Sequence, residues 1–395
     1  MGVVMSLRLV HRPARMTRPQ TPAEPLVLEP PPALPDGKVS SSMMALLPMA
    51  GVMSSLMLMT IIRSGAYIAL GAVVLVVAAL GGLVLVLSHR GKAGRERRQH
   101  RERYLDYLER QREELGEQER ADREHARLLH PPPAGLYDIA RDPSRLWERR
   151  RADPDFLVLR AGIGQVPGRP LVLQDRGSAL QPPDPFMLAE AMALLRRFTI
   201  ATEMPLTVPL DRAGNVSVIG DRASCLAVVR ALLLQLTAFH APDDVALALA
   251  VPPSRAADWN WAIWLPHVLD QTRQDGPTSL RRIAPDPRRL ALLLRDDLAD
   301  RATYAAEVRR GLEQKEALTM MRRLLVIHDG HGGTAYDLPR PDEAVDLPLM
   351  GITVLHLLSE RIHEPGLVSV RITVQNGHIS VEDLRGREPT LAQGG

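Results

Sequence analysis

The sequence predicts an α/β protein carried behind a two-helix transmembrane hairpin and a helical stalk, and three observations predict it. Two uncharged apolar runs, residues 43–62 and 66–87, stand near the start of the chain, separated only by Arg63, Ser64 and Gly65. A charged, proline-free stretch, residues 94–129, follows them. Beyond Pro133, short apolar strand patterns alternate with helical ones, as in a sheet whose strands are joined by helices.

Residues 1–40 are rich in arginine and proline ("RPARMTRPQTPAEPLVLEPPPALP"). Such a composition cannot bury a core of its own and reads as an extended segment. It is not a signal peptide, because the apolar stretch begins only near residue 43 and no cleavage pattern follows. Residues 41–88 form the hairpin: at about 1.5 Å per residue each run is long enough to cross an apolar layer roughly 30 Å thick. Basic residues flank the pair, and "HRGKAGRERRQHRER" (residues 89–103) carries seven Lys or Arg against two Glu. Positive-inside orientation places both termini in the cytoplasm and Arg63 outside, which makes a multi-pass protein of the inner (plasma) membrane. A buried soluble hairpin is the alternative. Met49, Met53 and Met57 recur at i, i+4 in the first run, and Ala78 and Gly82 in the second. These residues either pack the two helices together or present a close-approach face to another membrane subunit.

Residues 89–130 read as a charged stalk, with one helix of roughly 50 Å over residues 94–129. Tyr104, Leu108, Leu115, Leu128 and Leu129 are its sparse apolar positions, too irregular for a coiled coil. "HPPPAG" ends it, since proline cannot continue a helix. In residues 135–395, "LWERRRADPDFLVLRAGIG", "RPLVLQD", "NVSVIG", "PDDVALALAV", "RRLLVIHDG" and "LMGITVLHLL" read as strands, with helices over 186–200 and 223–237. "VSVRITVQNGHISVED" reads as a hairpin turning at Asn376 and Gly377. The expected sheet is largely parallel.

Composition is ordinary for a folded chain, 45% apolar and 24% charged, and the net charge of +3 gives no argument for nucleic acid. The basic run after residue 88 is better matched to lipid headgroups, given the apolar run before it. Cys225, the single cysteine, excludes an internal disulfide and reads as a packed thiol. "NVSVIGDRASCLAVV" has the strand, turn and helix of a phosphate-binding loop, with Gly220, Asp221 and Arg222 at the turn. Yet such loops need Gly-Lys-Ser/Thr, and only Lys38 and Lys92 follow a glycine, with Val39 and Ala93 after them. That class of loop is excluded.

Asp329 ends the apolar strand "LLVIHDG" where an acid could hold magnesium. Without a phosphate loop it reads as a polar residue closing a strand, and Asp329→Asn is expected to change little. A tethered NTPase with an unconventional site around Asp329 stays open as the alternative. "GIGQVPG" reads as a hairpin. Trp259, Trp261 and Trp264 either close a core or anchor an interface. His267 reads as structural, with a base or ligand as the sharper option, and His328 with His331 around Asp329 makes only a loose metal cluster.

Several of these stretches occur together, and in the same order, in one family. They are Arg12-Pro13-Ala14-Arg15, the tight hairpin, "RLWERRRADPDFLVLRAGIG", "HAPDDVALAL", "WNWAIWLPH" and "LLVIHDG". The chain resembles EccC, the membrane-anchored FtsK/SpoIIIE-type ATPases of actinobacterial type VII secretion, over nearly its whole length. Its most specific motifs are Leu146 to Arg150 and Trp264 to His267. The resemblance implies a degenerate P-loop-ATPase-like domain over 135–395, with Gly220, Asp221, Arg222 and Asp329 at the positions of a lost nucleotide site. It implies no cofactor in this chain, with ATP and magnesium belonging to motor modules expected beyond Gly395. The implied role is an anchoring and assembly part of an oligomeric secretion motor. Its partners are other inner-membrane subunits and lipids, with helical-hairpin (WXG100-type) substrates reached only through the motor modules. Met49, Met53, Met57, Ala78, Gly82, Trp147, Trp264 and His267 are the interface candidates.

Overall fold

A computed structural model describes residues 12–19, 24–32, 57, 65–174, 182–311, 321–386 and 390–394. In chain order the first elements are β1 (Leu26–Leu28), α1 (Gly65–Leu129), α2 (Leu136–Arg141), β2 (Val158–Pro167), β3 (Leu171–Leu173), α3 (Pro185–Phe198) and β4 (Ile200–Pro209). Next come β5 (Gly214–Gly220), α4 (Arg222–Phe239), β6 (Val245–Ala250), α5 (Ala256–Trp259), β7 (Leu269–Asp275), β8 (Thr278–Arg281) and β9 (Ile283–Ala284). The last are α6 (Pro287–Leu293), α7 (Arg295–Arg309), β10 (Arg323–His328), β11 (Ile352–Leu358), β12 (Val370–Gln375), β13 (His378–Asp383) and β14 (Thr390–Gly394). The chain divides into two compact units, one of residues 23–118 and 169–199, the other of residues 1–22, 119–168 and 200–395.

The second apolar run and the charged stretch belong to one unbroken helix, α1, roughly 97 Å long at 1.5 Å per residue, whose residues 65–118 fall in the smaller unit. Val73, Val76, Val77 and Leu80 form an exposed apolar stripe on it. The charged part is not the bare stalk the sequence suggests. Tyr104, Leu108 and Leu115 share one helix face and are buried against Leu28 of β1 and Met187, Ala191 and Leu194 of α3. A thin seam suffices because its partners come from distant sequence, where β1 and β3 pair in parallel. Asp184 caps α3, accepting from Phe186 N, and also takes Arg101 Nε of α1 at 2.7 Å.

The larger unit is built on a ten-stranded sheet of order β4-β2-β14-β13-β12-β5-β11-β10-β6-β9. The run β12-β5-β11-β10-β6-β9 is parallel, while β12-β13-β14-β2-β4 is antiparallel. The expected largely parallel sheet is therefore corrected to one that is parallel over six strands only. β6, β10 and β11 are buried along their whole length, which is why they read as continuous apolar runs. Leu325, Ile327, Leu355 and Leu357 face α4, whose Leu232, Leu233 and Leu236 are buried among them. Leu324, Val326, Ile352 and Val354 face the opposite layer, with Leu290 of α6 and Leu298 and Ala302 of α7. By length and composition alone α4 could cross a membrane, but its apolar length is spent on this core.

Two local departures have physical causes. Residues 146–157, expected as the start of a strand, form turns with only a bridge from Arg149 to His240. The Arg149 side chain turns inward there and hydrogen-bonds Leu129 O and Val158 O at 2.6 and 2.7 Å. β4, unread in the sequence, carries Pro205 and Pro209, which its place at the sheet edge tolerates. The expected Asn376-Gly377 turn joins β12 to β13, both residues at positive φ as a two-residue hairpin requires.

Candidate functional site

In a sheet of this kind ligands sit beyond the carboxyl ends of the parallel strands. There β5 ends at Gly220, α4 begins at Arg222, and Asp329 directly follows β10. The turn at Gly220 needs glycine because a Cβ would lie 2.4 Å from Val374 O of the neighbouring strand. Asp221 caps α4, accepting from Ser224 N at 3.0 Å. One of the free N–H groups that a helix N-terminus offers an anion is thereby taken by the protein itself.

Asp329, with a fully buried side chain, is enclosed by donors. Arg222 reaches both its oxygens, Nη1 to Oδ1 at 2.9 Å and Nη2 to Oδ2 at 3.1 Å. Arg255 Nη1 adds a second donor to Oδ1 at 2.9 Å, and Trp259 Nε1 a second to Oδ2 at 2.9 Å. Burial pushes this carboxyl up, but the hydrogen bonds from Arg222 and Trp259 and the charges of Arg222 and Arg255 outweigh it. The group is held below the usual carboxylate range. Asp258 pairs with the outer side of Arg222, and Arg255 Nη2 also donates to His331 O. His331 Nε2 in turn donates to Gly220 O at 3.0 Å, fastening the segment after β10 to the end of β5.

Magnesium takes up carboxylate lone pairs, and a triphosphate needs a cradle of free N–H groups. Here two donors already occupy each oxygen of Asp329, and Asp221 sets a carboxylate where the phosphates would lie. These residues do not fit a magnesium nucleotide. They make a closed ion-pair lock across the strand ends. Among the described residues no group of three or more His, Cys, Asp or Glu is placed to hold a metal ion.

His328 instead meets His356 Nδ1 to Nδ1 at 3.1 Å, and His356 Nε2 donates to Asn215 Oδ1 at 3.1 Å. This fixes His356 as an Nδ1 acceptor and His328 as the donor to it. Burial drives His356 down to about 3 and lowers His328 as well, so both rings are neutral. Burial likewise pushes the Cys225 thiol up to about 12, as expected for a packed residue.

The remaining sequence candidates do not converge on this site. His267 is wholly buried with Nε2 donating to His240 O at 2.8 Å. Its reading as an interface residue is corrected, since it has no surface to offer. Trp264 is exposed, Trp261 half-buried, and Trp259 buried in the core. Trp147 is half-buried at φ 57°, its Nε1 donating to Thr237 O at 3.0 Å. Met57 is exposed, Met49 and Met53 lie outside the described residues, and so do the side chains of Ala78 and Gly82 on α1. Sequence reading missed Arg255 and Asp258. The signal available was the i, i+4 spacing of Arg255 and Trp259, which sets both on one side of a helical turn.

No family model matches the chain. It is 27% identical over 390 residues to the ESX secretion system protein EccC of Thermomonospora curvata, covering 97% of this chain and 28% of that protein. It is 33% identical over 261 residues to the ESX-3 secretion system protein EccC3 of Mycobacterium tuberculosis, covering 66% of this chain and 18% of the relative. The ESX-1 protein EccCa1 of the same organism is 26% identical over 255 residues, with 62% and 32% covered. The chain thus spans about a third or less of the curated relatives it matches. Among solved structures, the cytoplasmic domain of the Thermomonospora curvata type VII secretion ATPase EccC overlaps 64% of this chain and 30% of its own. The TM-score is 0.35 at 15% identity, too loose to bear on the fold.

Proposed function

We propose that this chain, whose curated homologues are the EccC proteins of ESX secretion systems, is the anchoring and assembly part of an EccC-like type VII secretion motor. The observation that carries this reading is the extent of the similarity, 97% of the chain, which takes in the apolar runs as well as the α/β unit. Residues 43–87 hold the chain in the inner membrane as a hairpin with both termini in the cytoplasm. α1 carries the second span directly into the charged helix beyond it. The apolar stripe on α1 and the methionines of the first run join it to other membrane subunits of an oligomeric complex.

The sheet with its Gly220 turn and closed Asp329 site serves as a degenerate nucleotide-binding fold, held shut by its own arginines. ATP chemistry, and contact with secreted substrates, are assigned to parts of such an assembly outside the 28% of the relative that this chain matches. The engaged oxygens of Asp329 favour this over an unconventional nucleotide site at the same place.

The test is paired. Deletion of residues 135–395 leaves co-purification with membrane partners largely intact, whereas complete loss would move the contacts to the α/β unit. Calorimetry of the detergent-solubilised full chain with Mg-ATP shows no micromolar binding. Heat that appears in the native chain and vanishes in Asp329→Asn promotes the nucleotide reading instead.

A further inference from the structure

Residues 12–19 form neither strand nor helix, yet they are tied to the larger unit by side chains. Arg15 forks onto Asp155, Nη1 to Oδ1 and Nη2 to Oδ2, both at 2.7 Å, and Nη1 also reaches Asp153 Oδ2 at 2.9 Å. Arg12 Nη1 donates to Asp244 Oδ2 at 2.7 Å. Thr17 Oγ1 donates to Glu148 Oε2 at 2.7 Å. His125 of α1 donates to Arg18 O at 3.0 Å, and Arg150 Nη2 to Pro13 O at 2.9 Å. Between these anchors Ala14 and Met16 are exposed, so the attachment is made by guanidinium and hydroxyl groups rather than by apolar burial.

Two of the carboxylates that receive them are also held by arginines of the larger unit itself. Asp244 is held through Oδ1 by Arg151 at 2.7 Å, leaving Oδ2 for Arg12. Glu148 is held through Oε1 by Arg145 at 3.0 Å, leaving Oε2 for Thr17. Asp155 differs: Arg15 takes both its oxygens, and Oδ2 also lies 3.3 Å from Nε of the buried Arg149. Asp244 and Glu148 are each oriented by an arginine of the domain through one oxygen and offer the other to the segment. That is the construction of a recognition site, pre-organised before its ligand arrives. Arg15 lays a planar fork on both oxygens of Asp155, a contact lysine could not make, while Arg12 reaches Asp244 through one nitrogen.

We propose that Glu148, Asp155 and Asp244 form a binding site for a peptide bearing two arginines three residues apart and a hydroxyl residue two further on, filled here exchangeably by the chain's own residues 12–19. The site ties the segment preceding the first apolar run to the end of α1, which follows the second. Because the contacts are ionic, the segment detaches as salt rises, though less steeply than an exposed pair would, since Glu148, Asp155 and Asp244 are largely buried.

Of the three arginines in the segment only Arg15 is not followed by proline, so Arg15–Met16 is its one bond open to trypsin. In the full chain this bond resists cleavage at about 50 mM salt and is cut at least about tenfold faster at about 500 mM. Equal cleavage at both overturns the proposal. A labelled peptide of residues 12–19 binds the full chain carrying Arg12→Ala and Arg15→Ala, and binds the native chain at least about tenfold more weakly, because its own segment competes. The same peptide with its Arg15→Ala change does not bind. If the doubly substituted chain keeps its thermal transition but takes up no peptide, or takes up a scrambled peptide equally, the site is not a recognition site.

Discussion

Arg222 lies across Asp329 as a two-pronged fork, with nitrogen to oxygen distances of 2.9 and 3.1 Å. The arginine opens the helix after β5 and the acid directly follows β10, so the pair bridges the carboxyl ends of two parallel strands. Because Asp329 is buried and Arg222 and Arg255 are only about a quarter exposed, the lock is a structural commitment.

Asp329→Asn, which the sequence suggested would be nearly silent, is now expected to destabilise the larger unit. The amide offers one acceptor where two oxygens took four donors, and it leaves Arg222 and Arg255 facing each other without their shared counter-charge. Breaking a buried pair costs about 3–5 kcal/mol, and partial exposure of the arginines lowers this to roughly 2–4. The urea midpoint measures it. A midpoint within error of the native chain would show the lock to be dispensable.

Arg149→Lys is the corresponding test at the other end of the unit. The Arg149 side chain is almost wholly buried, binds Leu129 O and Val158 O, pairs with Asp155 and stacks over Phe239 at 4.3 Å. A lysine keeps the charge but cannot reach these partners in one plane. The expected loss is about 3 kcal/mol, read as a drop in Tm, and Arg149→Met is expected to fold no better because Asp155 loses its inner partner.

Acid sensitivity follows from the buried histidines. Burial lowers His130 and His356 to about 3 and His267 to about 4, and lowers His240 and His328 too. In the unfolded chain these rings take up protons below about pH 6.5, while the folded chain refuses them. Stability is therefore level above about pH 6.5 and falls as pH drops from there toward 4, by on the order of 3 kcal/mol per pH unit at its steepest. Asp155 and Asp329, held below their usual range, contribute their loss only beneath about pH 4. Urea midpoints taken from pH 8 to 4 check this, and a flat profile down to pH 4.5 would refute it.

Elements buried on both faces were the most legible in the sequence. β6, β10, β11 and α4 each carry a continuous apolar run, and Asn376-Gly377 announced its hairpin by turn chemistry. What escaped depended on partners remote in the chain. Tyr104, Leu108 and Leu115 look like decoration on a stalk until β1 and α3 are set against them. Asp329 was visible as an acid at a strand end, but nothing local says that Arg255, 74 residues away, closes one of its oxygens. Arg12 and Arg15 stood out by resemblance alone, because their receiving carboxylates lie more than 130 residues downstream. Long-range charge pairing leaves no periodicity to read.

The membrane hairpin remains the most consequential expectation, and it has a direct test. Ser64 stands between two uncharged runs, and the basic flanks on either side are expected to set residue 64 outside and the α/β unit inside. A cysteine at Ser64 is expected to react with an impermeant maleimide in intact cells, and one at Ser144 only after lysis. The native thiol does not interfere: Cys225 is buried and pushed up to about 12, so it carries almost no thiolate at neutral pH. Labelling at Ser144 but not at Ser64 in intact cells would invert the topology, and labelling of neither before lysis would remove the hairpin from the membrane.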